Sequence, residues 1–412
     1  MTLWRKITDS RRFNLASWVV TAIIARFGLP ARSGFTKMNP NIHLSLLQKP
    51  VSFVVHCLMM LLLCACSITD APPATPSELA TPVSGDGTSL SPASNLPWAG
   101  LHVSGSLVYT AISKNGNATA LSMDVLDLVT GETKTIFTTR SYAWIYYAAV
   151  SPDGRQAIMS YVPPSQDGSG AETSLYTMPL DGSEAPRILF TPPTPFDRYI
   201  QVEWSPDGKY IYYVHYNHNE HPDQFYQTYR IFRMAYPDGQ AQKILDQAFW
   251  PRISPDSSKI VYVSLDPATG INELFLANTD GSNPQKIALS GASVPEIIDA
   301  PIFSPDGKFI LFSAPTPTQS YQPSWFDRIT GVQVARAHNV PSDWWSVPIS
   351  GGQPVQLTQI QTAGLFADIS PDQKHIVSAN QNGIFIMNPD GSDLTSLISS
   401  WGGIAGTVRW IP

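Results

Sequence analysis

One short sequence, Ser-Pro-Asp, recurs five times between residues 151 and 372, and Gly follows it in three of the copies. Each copy stands between two apolar stretches, as in "VEWSPDGKYIYYV". Pro presets φ for a turn and Gly accepts a positive φ, so the pattern predicts a hairpin turn between two strands. We expect each Asp to bond the amides of its own turn, and a ring of cation-binding carboxylates is the alternative. The five residues are Asp153, Asp207, Asp256, Asp306 and Asp372.

A second hairpin pattern alternates with the first along the chain, for example "IFRMAYPDGQAQKIL". The chain carries six of these hairpins but only five Ser-Pro-Asp strands, and the apolar segment "GTVRWIP" at residues 406–412 stands without a partner. A period near 50 residues with four strands per unit is typical of a β-propeller. The sequence therefore predicts an all-β fold, a six-bladed propeller whose C-terminal strand completes the first blade and closes the ring.

These repeats resemble those of the TolB-type propeller family, which is WD-repeat-like, over residues 98–412. The resemblance implies a propeller of the kind found in extracytoplasmic binding proteins and in prolyl-oligopeptidase-type peptidases. TolB carries an α/β domain before its propeller, whereas in this chain a polar stretch leads directly into the strands. The peptidases use a Gly-x-Ser-x-Gly nucleophile motif, and the sequence contains none. The resemblance therefore implies the fold, without the Tol role or peptidase activity.

The N-terminal region carries an apolar run, residues 51–65, that ends in Leu-Cys-Ala before Cys66. This resembles the lipobox of bacterial lipoproteins, in which that Cys receives the lipid. We expect residues 1–66 to be a leader, with Met38 as a candidate true start, and Cys66 to be the lipid anchor of an exported protein. Residues 67–97 are rich in Pro, Ser and Thr, a composition typical of a disordered tether.

The balance of charge bears on the partners. Residues 1–66 hold eight Lys/Arg and one Asp/Glu, so 26 − 8 = 18 basic and 32 − 1 = 31 acidic residues remain, a net charge of −13. A domain this acidic is a poor match for nucleic acid, and we expect membrane contact only through the lipid. We expect a monomer without a cofactor that binds a cell-envelope protein or glycan.

Aromatic residues collect in the loops expected on the face opposite the Ser-Pro-Asp turns. There they can form a ligand-binding face, and packing between blades is the alternative. The segment 315–345 is a further candidate part of this face, since its residues 324–332 have a helical pattern. The candidate binding residues are Trp144, Tyr146, Tyr147, Phe196, Tyr199, Phe249, Trp250, Trp325, Trp344 and Trp345.

Three histidines, His215, His218 and His221, follow one another at three-residue spacing, with acidic residues beside them. Imidazole and carboxylate groups are competent ligands for Zn or Mn. A divalent metal held there would make the protein a polysaccharide lyase or hydrolase, which is the alternative to a non-catalytic binding protein. A solvated polar loop explains the same residues, and binding is the function that the sequence favours.

Overall fold

The computed structural model describes residues 96–115, 118–140, 143–164, 173–217, 220, 228–266, 271–291, 294–295, 297–315, 340–399 and 404–412. All of the described residues belong to one compact unit, Glu78–Pro412. Several predictions on the sequence therefore lie outside the described residues: the leader with Cys66, the tether up to residue 95, and the insert from 316 to 339 with Trp325. Over the described ranges, no helix has the length and apolar character needed to cross a membrane.

The described residues form six antiparallel sheets of four strands each. Blade 1 consists of β1 (Ser106–Asn115), β2 (Ala118–Asp127), β3 (Thr133–Thr138) and the last strand, β24 (Ile404–Ile411). The other blades each take four consecutive strands, which follow one another from the channel outward. Blade 2 holds β4 (Trp144–Val150), β5 (Gln156–Val162), β6 (Ser174–Pro179) and β7 (Arg187–Phe190). Blade 3 holds β8 (Asp197–Trp204), β9 (Tyr210–Asn217), β10 (Arg230–Ala235) and β11 (Gln242–Asp246).

Blade 4 holds β12 (Ala248–Ile253), β13 (Lys259–Leu265), β14 (Asn272–Asn278) and β15 (Gln285–Lys286). Blade 5 holds β16 (Asp299–Phe303), β17 (Phe309–Ala314), β18 (Asp343–Pro348) and β19 (Val355–Gln356). Blade 6 holds β20 (Phe366–Ile369), β21 (Ile376–Asn380), β22 (Gly383–Met387) and β23 (Thr395–Ser399). The inner strands contact one another in the order β24, β4, β8, β12, β16 and β20, and β20 contacts β24 again, so the blades form a ring.

The last strand closes this ring by completing the first blade. Strand β24 pairs antiparallel with β1, with Ser106 opposite Ile411 and Tyr109 opposite Val408. Trp410 packs in one apolar cluster with residues of blade 1 and blade 6, so the closing strand also fills the space between these two blades. The prediction of an all-β, six-bladed propeller closed by its C-terminal strand is confirmed.

The Ser-Pro-Asp turns join the inner strand of a blade to its second strand. In the turn of blade 3, the Ser205 hydroxyl donates to Asp207 Oδ1 at 2.7 Å, and the same oxygen accepts the Lys209 N–H at 3.1 Å. The other four turns repeat the Ser-to-Asp bond at 2.5 to 2.7 Å. Two copies lack Gly, and there Ser257 and Gln373 take the left-handed conformation with φ of 59° and 61°. The Ser–Asp bonding is thus common to all five turns, with or without the glycine.

Candidate functional site

The central channel is lined by residues from all six inner strands and holds about 410 Å³ of empty space, part of it open to solvent. The residues two and four positions before the Ser-Pro-Asp serine both line the channel on β8, β12 and β16. On β20, where pairing is regular, alternation puts the same two positions on one face. Because the inner strands end at the Ser-Pro-Asp turns, they begin at the opposite face, which we call the loop face. The position four before the serine is therefore nearer to the loop face than the position two before it.

Three aromatic rings meet at the loop-face end of the channel, and we call Tyr147, Trp250 and Phe366 the aromatic mouth. They lie on β4, β12 and β20, which are alternate inner strands of the ring. The ring centroids are 5.3 Å apart for Tyr147–Trp250, 6.2 Å for Tyr147–Phe366 and 6.0 Å for Trp250–Phe366, all edge to face. Edge-to-face packing at such distances is favourable, so the three rings narrow the channel on this side.

The backbone around the aromatic mouth is irregular in the same way on three neighbouring strands. Gln201, Trp250 and Ala300 all have a left-handed φ, of 51°, 54° and 43°, at places where the pairing of β8, β12 and β16 shifts register. Such a bulge redirects side chains, and a left-handed non-glycine residue is strained. The Trp250 N–H donates to Gln201 Oε1 at 2.7 Å, so the Gln201 side chain satisfies the amide that the bulge removes from the sheet.

Below the aromatic mouth, four charged side chains form a ring of ion pairs across the channel. We call these residues the channel ring: Glu203, Arg252, Asp368 and Arg409. The guanidinium of Arg252 lies 2.8 Å from Asp368 Oδ1 and 3.4 Å from Glu203 Oε2. The guanidinium of Arg409 contacts the same oxygen of Glu203 and lies 3.8 Å from Asp368 Oδ1. Each acid thus contacts both arginines.

Burial dominates the ionisation of the two acids in the channel ring. It raises the pKa of Glu203 to about 7, and Arg252 offsets only part of this effect. It likewise raises the pKa of Asp368 to about 6, although Arg252 and the Trp410 N–H, which donates to Asp368 Oδ2 at 2.9 Å, both favour the charged form. Desolvation disfavours a carboxylate, so these acids take up protons at higher pH than an exposed acid does.

Three predicted binding residues are exposed beside the mouth on the loop face. Trp144 and Tyr146 on β4 are 38% and 45% exposed, and Phe196, directly before β8, is 49% exposed. Tyr146 directly precedes Tyr147 on β4, and Trp144 begins the same strand. Two of the three exposed residues therefore share a strand with a member of the aromatic mouth.

Four other predicted binding residues are buried. Tyr199 and Phe249 are 7% and 8% exposed, and Trp344 and Trp345 are 0% and 3% exposed. Trp344 and Trp345 lie in β18, where their indole N–H groups donate to Ser378 Oγ and to the Ala314 carbonyl. The expectation that these two Trp residues belong to a ligand-binding insert is therefore corrected. Both faces of a propeller blade pack against neighbouring blades, so consecutive side chains of one strand are both buried.

His215, the one histidine of the predicted metal cluster that is described, is bound to a buried acid. Its Nε2 lies 2.8 Å from Asp197 Oδ1, which also accepts the Asn217 amide at 2.8 Å. Burial of Asp197 is outweighed by hydrogen bonds from Thr194, His215 and Asn217, which hold the pKa of its carboxyl below the usual range. His218 and His221 lie outside the described residues, and among the described ones no three His, Cys, Asp or Glu side chains are grouped to hold a metal.

The channel ring was not predicted, although a signal for it exists in the sequence. The residues two positions before the five Ser-Pro-Asp serines are Ala149, Glu203, Arg252, Ile302 and Asp368. Arg409 takes the equivalent place on β24, where no Ser-Pro-Asp follows. Charged residues at positions that a propeller directs into its channel are the pattern that would have revealed the ring.

Comparison with known proteins finds no matching family model and no curated protein of similar sequence. Among solved structures, TolB from Acinetobacter baumannii is similar, with a TM-score of 0.54 and 17% identity over 75% of this chain and 67% of that one. A putative TolB from Agrobacterium tumefaciens has a TM-score of 0.51 and 16% identity over 74% of this chain and 99% of that one. The fold is that of a TolB-like propeller. At this identity the likeness shows the fold alone.

A third solved structure has the name of a lyase, which is the class of enzyme given above as the alternative function. It is an oligogalacturonate lyase in complex with manganese, with a TM-score of 0.44 and 13% identity over 72% of this chain and 86% of that one. A likeness at this level carries no argument about lyase chemistry in this TolB-like propeller.

Proposed function

We propose that this TolB-like propeller is an exported binding protein that recognises a protein of the cell envelope through its loop face. The observation that supports this most is the exposure of Trp144, Tyr146 and Phe196 beside the aromatic mouth. Large aromatic side chains supply most of the binding energy at many protein interfaces, because they bury a large area at a small cost in conformational entropy. A rigid ring of blades holds them in fixed places, which further lowers that cost.

A protein fits this surface better than a glycan does. Sugars stack on the open face of an aromatic ring, whereas the three rings of the aromatic mouth pack edge to face against one another. Trp144 begins β4 of blade 2 and Phe196 directly precedes β8 of blade 3, so the exposed aromatic residues span two blades. Interfaces between proteins are enriched in aromatic residues, so this arrangement suits a protein partner.

The proposal includes a lipid anchor on Cys66 and a tether formed by residues 67–97. A flexible chain of this length has an end-to-end distance of about 30 Å. The propeller would then reach partners close to the membrane, where the effective concentration of an envelope protein is high.

The test compares partner capture by three forms of the full chain, expressed in the native host and crosslinked in intact cells. The first is wild type and the second carries Trp144→Ala with Tyr146→Ala. The third, Phe309→Ala, is the matched control, because Phe309 is 41% exposed but follows a Ser-Pro-Asp turn on the opposite face.

We expect one envelope protein to be captured by wild type and by the control. The double variant should bind it at least about 30-fold more weakly, since a single aromatic hot spot contributes about 2 kcal/mol. Equal capture of that protein by all three forms would contradict the proposed face. Recovery of a glycan in place of a protein would contradict the proposed partner.

A further inference from the structure

The channel ring has no role in the proposed recognition, yet it stands directly behind the residues that shape the aromatic mouth. Arg252 is two residues from Trp250, and Asp368 is two residues from Phe366. Trp250 and Arg252 both line the channel, although the strand bulges between them. Phe366 and Asp368 lie two apart on β20, where pairing is regular and side chains alternate, so each aromatic side chain stands beside a charged one. The Arg252–Asp368 ion pair, at 2.8 Å, therefore joins the two strands at the level directly below Trp250 and Phe366.

We propose that the channel ring positions the aromatic mouth, with the Arg252–Asp368 ion pair setting the separation of Trp250 and Phe366. Glu203 positions Gln201, which lies two residues away on β8, in the same way. The Gln201 side chain in turn accepts a hydrogen bond from the Trp250 amide. Every member of the aromatic mouth except Tyr147 thus shares a strand with a member of the ring. The channel ring contacts the strand of Tyr147 at the next residue, because the Arg409 side chain donates to the Ala148 carbonyl at 3.3 Å.

A contribution to stability does not by itself explain why the four charged residues of the channel ring are placed in the middle of the fold. The side chains of the channel ring are between 9% and 19% exposed, so each lost most of its hydration on folding. Apolar residues of similar size often stabilise a core as well as a buried ion pair does. Ion pairs differ from apolar contacts in fixing direction and distance, and the bidentate geometry of Arg suits this role.

The charge on the channel ring depends on pH. With both acids ionised the ring is neutral, having two positive and two negative groups. Burial raises the pKa of Glu203 to about 7 and that of Asp368 to about 6, so mild acid adds protons and leaves the two arginines in excess. Besides the channel ring, the inner strands carry six ionisable side chains: Tyr146, Tyr147, Asp197, Arg198, Tyr199 and Asp299. Burial raises the pKa of Tyr147 and Tyr199, so both stay neutral in this range.

The test reads the surroundings of Trp250 directly by ¹⁹F NMR of the full chain labelled with 5-fluorotryptophan. The resonance of Trp250 is assigned as the one missing from a Trp250→Phe variant. Asp368→Asn and Arg252→Gln each remove one charge of the ring. Arg187→Gln is the control, since Arg187 lies on the outer strand β7 and pairs with Glu184 in the turn before it.

We expect Asp368→Asn and Arg252→Gln to shift the Trp250 resonance, and Arg187→Gln to leave it in place. In wild type the resonance should also move with pH, with a midpoint between about 6 and 7, and Glu203→Gln should reduce that movement. The other tryptophan resonances report whether each variant is folded. If the charge-removing variants do not fold, Arg252→Lys and the wild-type pH titration still test the proposal.

An unmoved Trp250 resonance in folded Asp368→Asn and Arg252→Gln would overturn the positioning role. The lack of any movement between pH 8 and pH 5 in wild type would overturn the dependence on protons. No partner takes part in these measurements, so they succeed or fail independently of the proposed recognition of an envelope protein.

Discussion

Replacing Trp410 by Ala tests the closure of the ring most directly. Trp410 lies on the last strand, is 6% exposed, and packs with Leu107 of blade 1 and Val377 of blade 6. Its indole N–H also donates to the Ser104 carbonyl at 3.0 Å. A buried Trp removes about 200 Å² from water, worth about 5 kcal/mol at roughly 25 cal/mol per Å². Measured losses for such truncations are about 3–5 kcal/mol, so we expect a decrease of about 4 kcal/mol in the free energy of unfolding.

The assay is equilibrium unfolding in urea followed by far-UV circular dichroism. With a dependence on urea of about 3 kcal/mol per molar, the midpoint should fall by about 1.3 M. Trp410→Phe keeps most of the apolar area and loses the hydrogen bond, so it should lose only about 1–2 kcal/mol. Phe309→Ala, at a 41% exposed position, should stay within about 0.5 kcal/mol of wild type. If Trp410→Ala is equally close to wild type, β24 does not close the ring in the way the structure shows.

Two further predictions concern the anchor and the turns. Cys66→Ala should abolish incorporation of labelled palmitate and release the protein from the membrane fraction, and labelling that persists would exclude Cys66 as the lipid site. The hydrogen bond from Ser205 lowers the pKa of Asp207, so the carboxylate stabilises the fold above its unfolded pKa near 4, and this contribution is lost as pH falls through the lower folded value. Asp207→Asn should therefore be less stable than wild type at pH 7 in urea unfolding, and a difference that stays the same at about pH 2 would refute this.

The strands and turns were predictable because their signals are local. Ser205 and Asp207 are two residues apart, and the turn that they form depends on its own hydroxyl, carboxylate and amides. The same bonds explain why the turn survives without Gly at Ser257 and Gln373. The number of blades followed from counting two hairpin types, because each blade repeats the same local pattern.

The edge of the insert was predicted wrongly for a physical reason. Trp344 and Trp345 stand next to one another, which does not match the alternation of a strand with one exposed face. In β18 both indoles are buried, since each face of the blade packs against other strands. A strand buried on both faces has no periodic signal, so its start at Asp343 could not be seen in the sequence.

The sequence by itself determined the order of strands and turns, the number of blades and the strand that closes the ring, because these depend on local pattern and on counting. Only the tertiary structure decided which side chains meet in the channel. Glu203 and Arg409 are 206 residues apart, and they come together only after six blades have closed into a ring. The bulge at Trp250 and the raised pKa of Glu203 arise in the same way, because register and burial are properties of the assembled ring.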